Sequence, residues 1–517
     1  MQRLAMIVAL LGLALVIPHD AHAASAPNVI RIAFVPLDDR PATEYFPQQV
    51  AAICGARLEL PPQDALGHFQ RPGDPAAIGR WLQNIDATNL TAVVVSTDML
   101  AYGGLVASRT SATSLGDALY RLRPLNDFRT RHPEVPIYAF GTVMRLAPTA
   151  TPQSAPYLDA LTNYAQLGGA ADPTHDQREA LAISRSHIPD EAFWDYMGSR
   201  ARDLDVDETL LRMASDGDFA ALAITQDDAG SDFGLQAPDQ ARLRALITQL
   251  NVQRRVMLNS GADEMGMIMV MRAVEDAVGW APSVTLRYSS ADAAAKRDPY
   301  EFTSIGQTIA NLVSFMRIRT ADSGDFELAV DAASDPAERV VFWNGIGSAL
   351  RSGVPTGVVD LSFLSGDLDT EQFALGWLHD NQLAGAPIGY ASWNTTANSA
   401  GTVLAQAVAT LVGRRFGTLN QDAAATFLFD RYVDDCAYRL RVRPALQAQL
   451  TALGDDIYAL DGAAQFGESL ARSMLWPEAV SILDQDFKPA GWRATALSVY
   501  LPWQRTFEVR IDAALTK

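Results

Sequence analysis

From Val29 to about Asn398 one pattern recurs along the chain. A short aliphatic or β-branched run ends in polar or glycine residues, and a segment with apolar residues at helical spacing comes next. The runs are VIRIAFVPLDDR, ARLELPP, TAVVVSTDMLAYGG, VPIYAFGTVMR, FAALAITQDDAG, RRVMLNSGADE, SVTLRYSS, RVVFWNGIG, PTGVVDLSF and APIGYASWNTTANS. Strands that read as unbroken apolar runs are buried on both faces, as in parallel sheets with helices on either side. The pattern predicts an α/β protein of parallel strands alternating with helices. A (β/α)8-barrel-like core is the leading expectation, and an open doubly wound sheet is the alternative.

The expected α/β core spans 24–401 and is interrupted between 148 and 216, where the strand signal disappears and apolar residues at helical spacing predict a helical insertion. From 402 to 517 the chain turns helical again, and this region is expected to pack on the core. The strand-like piece ALSVYLPWQRTFEVRI closes it.

Arg3, the uncharged run LAMIVALLGLALVI and Ala21-His22-Ala23 have the basic start, apolar middle and small-residue end of a secretory signal peptide, assigned to residues 1–23. The mature protein is therefore expected to be soluble and periplasmic or secreted. The formal charge of −19 repels phosphate backbones and anionic lipid, which argues against nucleic-acid partners and against a membrane partner once the signal is removed. Cys54 and Cys436 are the only cysteines, too few for a disulfide scaffold, and they either pair or remain as buried thiols. The histidines show no HxH or HExxH spacing, and Gly103-Gly104 lacks the spacing of a dinucleotide or phosphate loop. No metal site or cofactor is expected. Nothing in the sequence fixes the oligomeric state.

Acidic residues gather where the apolar runs end: Asp38 and Asp39 before Arg40, Asp98 after the third run, Gln226-Asp227-Asp228 after the fifth, and Asp263-Glu264 after the sixth, while the basic Arg145 follows the fourth. In a parallel α/β fold the carboxyl ends of the strands share one face, where such folds place their sites. A single pair reads equally well as a helix cap, but a cap needs one carboxylate rather than two. Two close carboxylates repel as anions, which raises the pKa of one and separates their roles into acid and base. Glycosidic bond cleavage uses such a division. Trp393, Asn394 and Asn398 come after another apolar run, and an indole face with flanking amides suits a sugar. Trp343 and Asn344 in FWNG offer a second such pair, with core packing as the competing reading.

PLDDRP, TDMLAYGGLVASR, QDD, GADE, YASWNTTANSAGT and LPWQRTFE, taken in order, resemble the motif series of a bacterial family catalogued as domain of unknown function 4127. The resemblance covers nearly the whole mature chain and implies one integrated unit. It brings no catalytic assignment with it. Leu501 stands where the motif suggests an aromatic before Pro502.

The expectation from the residues is a glycoside hydrolase acting on carbohydrate. Asp228 and Glu264 serve as its catalytic carboxyls, Asp227 and Asp263 orient them, and Asp38, Asp39, Arg40, Asp98, Arg145, Gln226, Trp393, Asn394 and Asn398 contribute to binding. Two alternatives stand beside it. One is a hydrolase of a phosphoester or amide bond using Asp38, Asp39, Asp98 and Asp227 as oxygen ligands for Mg²⁺ or Ca²⁺. The other is a non-catalytic glycan-binding protein.

Overall fold

All but one of the apolar runs form strands, and the computed structural model, which describes residues 29–517, arranges them in two parallel sheets. The first holds β1 (Arg31–Val35), β2 (Arg57–Glu59), β3 (Ala92–Ser96), β4 (Ile137–Val143), β5 (Ala221–Gln226) and β6 (Val256–Ser260), in the order β2-β1-β3-β4-β5-β6. The second holds β7 (Ser283–Tyr288), β8 (Arg319–Thr320), β9 (Phe326–Asp331), β10 (Thr356–Asp360) and β11 (Gly389–Ala391), in the order β11-β10-β9-β7-β8. Counted from its own first strand, each sheet begins 2-1-3-4-5, an order known from open doubly wound folds. The barrel expectation is corrected here, because among the described residues no sheet closes. In each sheet the second strand turns back to an outer edge, and β6 ends the first sheet while β7 starts the second.

The double burial read from the sequence has its cause in this layering. Ile32 and Phe34 of β1 face one apolar core, shared with Phe46 and the helix Met265–Val278, while Ala33 and Val35 face another, shared with Ile78, Leu82 and the helix Asp190–Asp216. The first core is continuous with one face of the second sheet through Leu328, Val330 and the helix Thr396–Phe416, so the two sheets share packing. That helix is buried from Thr396 to Gly413, as its lack of acidic residues predicts, and the expected boundary at 402 falls inside it. The opposite face of the second sheet packs Ala329, Val358 and Tyr390 on the C-terminal helices.

The segment between 148 and 216 is helical, with helices Leu158–Leu167, His175–Ser186 and Asp190–Asp216. After the C-terminal helices, the last piece of chain is two antiparallel strands, β12 (Arg493–Tyr500) and β13 (Arg510–Thr516), joined by a loop that contains LPWQRTFE. Cys54 and Cys436 are both free and buried. The expected signal segment lies outside the described residues. No helix among the described residues is long and apolar enough to cross a membrane.

One run differs from its expected form. RVVFWNGIG lies in the helix Pro336–Arg351, and the strand is the preceding FELAVD, which is β9. The helix starts on Asp335, whose side chain accepts from the Ala337 and Glu338 backbone, with Pro336 at the first helical position. Phe342, Trp343, Ile346 and Leu350 then line its buried face at helical spacing, so Trp343 and Asn344 do not end a strand. Trp343 is core, and its indole N–H donates to Asp331 Oδ2 at 2.7 Å, while Arg339 Nε donates to the same oxygen at 3.0 Å. Asp331 thus ties strand end to helix. Replacing it by alanine leaves a buried guanidinium without its anion, so Asp331→Ala is expected to cost about 3–5 kcal/mol in a urea melt, with Asp331→Asn losing less.

Candidate active site

β1 runs out into Leu37, Asp38 and Asp39, and the buried Arg40 next to them holds the strand ends in place. Its guanidinium donates to Asp38 (Nη2 to Oδ2, 2.8 Å) and to Asp263 (Nη2 to Oδ1, 2.6 Å; Nη1 to Oδ2, 3.1 Å). Asp38 lies beyond β1 and Asp263 beyond β6, so one planar cation links the carboxyl ends of two strands that are not neighbours in the first sheet. Burial raises the Asp263 carboxyl, and the charge of Arg40 opposes that rise. The loop between β12 and β13 covers this ion pair. The Arg40 guanidinium lies 4.9 Å from the Trp503 ring centroid, and Glu508 Oε1 is 3.8 Å from Nη1. Asp39 points to the same loop, accepting from the Trp503 indole N–H at 2.6 Å and standing 2.8 Å from His68 Nδ1. Arg505 also stacks on Trp503 and pairs with Glu508.

At the end of β5 each of the two adjacent aspartates has its own arginine. Arg109 Nη2 is 2.6 Å from Asp227 Oδ2, and Arg145 Nη1 is 3.2 Å from Asp228 Oδ2. Arg109 arrives from the helix after Gly103-Gly104, where positive φ angles of 95° and 121° let the backbone turn sharply. Asp228 itself sits at φ +25°, in the left-handed region that a non-glycine residue enters only when its surroundings hold it there. Gln226 supplies part of that hold. Its amide donates to the Val143 and Met144 carbonyls at 3.2 Å each and to the Asp227 carbonyl at 2.9 Å, and accepts from Gln240 at 3.0 Å, clamping β5 to the end of β4. Gln226 thus fixes the backbone on which Asp227 and Asp228 sit.

Two adjoining cavities open at this place. One of about 160 Å³ is lined by Arg109, Arg145, Asp227, Asp228 and Trp503, and one of about 180 Å³ by Phe46, Trp393, Tyr438, Arg443 and Glu508; Arg40, Asp263, Asn394 and Phe507 line both. Asp228 keeps 28% of its side-chain surface exposed, against 10% for Asp227 and 11% for Asp263. Partial burial, then the neighbouring charge of Asp227, push the Asp228 carboxyl up to about 6. All three aspartates therefore meet an arginine, and Asp228, with the longest contact, is the most exposed.

Other sequence-predicted residues have different places. Glu264 is fully buried and lines neither cavity. It accepts from Asn398 Nδ2 at 2.6 Å and from the Ala262 N–H at 3.1 Å, and burial pushes its carboxyl up to about 7. The adjacent pair is split by local geometry: Asp263 precedes the helix Met265–Val278 and faces Arg40, while Glu264 turns into the gap between that helix and Thr396–Phe416. Asn398 is spent on Glu264, Asn394 and Thr395. Trp393 lines the cleft, but its indole N–H is bonded to Thr402 and its ring packs edge-on against Phe46. Asn394, at φ +56°, faces the cleft. Asp98 is buried below it beside Asp203 and Asp207, with its carboxyl pushed well up by burial and then by Asp203.

The oxygen ligands suggested for a metal are not gathered. Asp38 is bound to Arg40, Asp39 to His68 and Trp503, and Asp227 to Arg109, and Asp98 is sealed beneath. Among the described residues no group of three or more histidine, cysteine, aspartate or glutamate side chains is arranged to hold an ion.

The covering residues His68, Trp503, Arg505 and Glu508 are not predicted by the sequence, although three of them belong to the motif LPWQRTFE. Asp298 and Glu301, after β7, are likewise unpredicted. These accept from the Thr396 and Ala397 backbone N–H groups at 2.9 and 2.5 Å, so the second sheet caps the helix that carries Asn398. The family model described as "Protein of unknown function (DUF4127)" matches residues 32–512, nearly the whole chain. The chain belongs to that family. No curated protein and no solved structure matches it. The matched span runs from β1 into β13, so both sheets, the C-terminal helices and the covering loop fall inside the DUF4127 region.

Because Glu264 has a structural partner, its isostere should be tolerated. Glu264→Gln can still accept from Asn398 and is expected to be at least as stable as the parent at pH 7, whereas Glu264→Ala strands that amide and should be less stable than the glutamine variant by about 1–3 kcal/mol in chemical denaturation. The parent's carboxyl is raised on folding, so its contribution is present at low pH and falls away as the pH rises through about 7. The glutamine variant should lack that decline.

Proposed function

We propose that this protein is a secreted or periplasmic glycoside hydrolase in which Asp228 is the proton donor. The observation that carries the reading is the asymmetry of the acidic cluster. Asp228 is the most exposed of the three cleft aspartates, with a carboxyl raised to about 6 and only a 3.2 Å contact to Arg145, while Asp227 and Asp263 are each held by an arginine at 2.6 Å. Cleaving a glycosidic bond needs a carboxylic acid to protonate the leaving oxygen and negative charge to stabilise the oxocarbenium-like transition state. With its carboxyl raised to about 6, Asp228 can hold a proton for the first task up to about that pH, and Asp227 with Asp263 supply the second. Trp393, Phe46 and Phe507 give the cleft apolar walls beside the Asn394 amide, a mixture that suits sugar rings. Glu264, sealed behind Asn398, takes no part in proton transfer in this proposal.

The test is product analysis on a panel of polysaccharides and aryl glycosides, with kinetics then measured on whichever substrate turns over. Asp228→Asn should lower kcat/KM by roughly 10²–10⁴-fold, with Glu264→Gln close to the parent. In the parent, kcat/KM should fall as the pH rises through about 6, because Asp228 must carry its proton to act. Full activity in Asp228→Asn, or a flat profile from pH 5 to 8, would overturn the assignment.

A further inference from the structure

At the opposite edge of the first sheet, before the amino ends of β4, β5 and β6, lies a cavity of about 390 Å³ that differs from the cleft in charge. Five arginines line it: Arg129, Arg254, Arg255, Arg272 and Arg317. Only two carboxylates do so, Glu134 and Asp218. In a chain of net charge −19 this is a local reversal of sign.

Three of the five, Arg129, Arg254 and Arg255, have no carboxylate partner within 4 Å among the described residues. Arg272 and Arg317 share the two oxygens of one carboxylate, Asp276, at 3.2 and 2.9 Å, and Asp276 also accepts from the Tyr138 hydroxyl at 2.8 Å. Arg272 is buried and further held by the Phe315 carbonyl, which fixes the floor of the cavity. Arg129 donates to the Pro133 carbonyl, and Arg255 reaches the Ala214 carbonyl at 3.4 Å. Neither of these two meets a carboxylate within 4 Å, and Arg254 has no hydrogen-bond or ion-pair partner among the described residues. Of the acids, Asp218 accepts from Asn126 at 3.3 Å, and Glu134 lies 3.8 Å from His132 Nδ1. Glu275, on the helix that carries Arg272, is buried, and burial pushes its carboxyl well up while the charge of Arg272 opposes that rise.

Three guanidinium groups without a carboxylate partner, beside two that share one, repel one another around this concave, polar space, and an anion placed among them relieves that repulsion. A phosphoryl group suits this geometry best, since its oxygens accept paired N–H bonds from planar guanidinium forks. The volume falls within the range of small-molecule pockets, about 300–1,000 Å³. We infer that this pocket binds a phosphoryl or pyrophosphoryl group of a small molecule, at a site separate from the acidic cleft. β5 connects the two places, and its length separates them by roughly 20 Å at about 3.3 Å per residue.

Anion binding here does not depend on the proposed hydrolase activity and is tested without a substrate. Titration of the full chain with pyrophosphate by calorimetry, at constant ionic strength set with chloride, should give saturable one-site binding. Arg254 and Arg255 are exposed, so Arg254→Ala/Arg255→Ala should fold with an unchanged melting temperature in chloride and bind at least about tenfold more weakly, a change worth about 1.4 kcal/mol. Arg212→Ala, a surface arginine paired with Glu208 elsewhere, should bind like the parent. No saturable heat with the parent, or equal affinity in the parent and the double variant, would overturn the site. Sulfate matching pyrophosphate in affinity would overturn phosphoryl selectivity.

Discussion

Arg40 is the side chain on which the arrangement of the cleft depends. Its guanidinium is buried between Asp38 and Asp263, carried by strand ends that the sheet itself does not hydrogen-bond to one another, and it is capped by Trp503 and Glu508 from the last loop of the chain. A buried cation of this kind is tolerated only when its N–H groups are met by carboxylates in good geometry. The same bonds that satisfy Arg40 therefore hold Asp263 as its counter-ion facing the cavities. They also tie the C-terminal hairpin, which lies within the family region, to the first sheet.

The separation of roles at the end of β5 has the same logic. Asp227 is matched to Arg109 at short range, while Asp228 has only the longer contact to Arg145 and carries the repulsion of its neighbour. Adjacent in sequence, the two differ because Asp228 turns through a positive φ into the cleft and Asp227 does not. On the other side of the cleft, Asp263 and Glu264 are divided by the start of a helix, which leaves one at the surface of the cavity and buries the other against Asn398.

Much of this was legible in the residues. The unbroken apolar runs announced parallel strands covered on both faces, and the acidic pairs at their ends announced where carboxylates gather, since Asp38, Asp227, Asp228 and Asp263 do meet there. Strand order was not legible, because local patterns say nothing about where a sheet turns back, and that is what separates two open sheets from one barrel. The helical RVVFWNGIG shows the limit of β-branched content as a guide: the Asp335-Pro336 start and the spacing of Phe342, Trp343, Ile346 and Leu350 overrode it. Glu264 sits away from its expected place because adjacency in sequence carries no information on which carboxylate a helix start turns inward. The role of Trp503 and Arg505 needed a contact across the chain, from Trp503 to Asp39, that no short-range signal encodes.

The central claim is that the cleft divides three aspartates into one acid and two anions. It is tested most directly by titrating the side-chain carboxyl carbons in protein labelled with ¹³C-aspartate, with Asp228→Asn used to assign the resonance. The account predicts that Asp228 titrates at about 6, about 2 units above the ordinary aspartate value of about 3.9. Titration of Asp228 near 4, indistinguishable from an exposed aspartate, would contradict it.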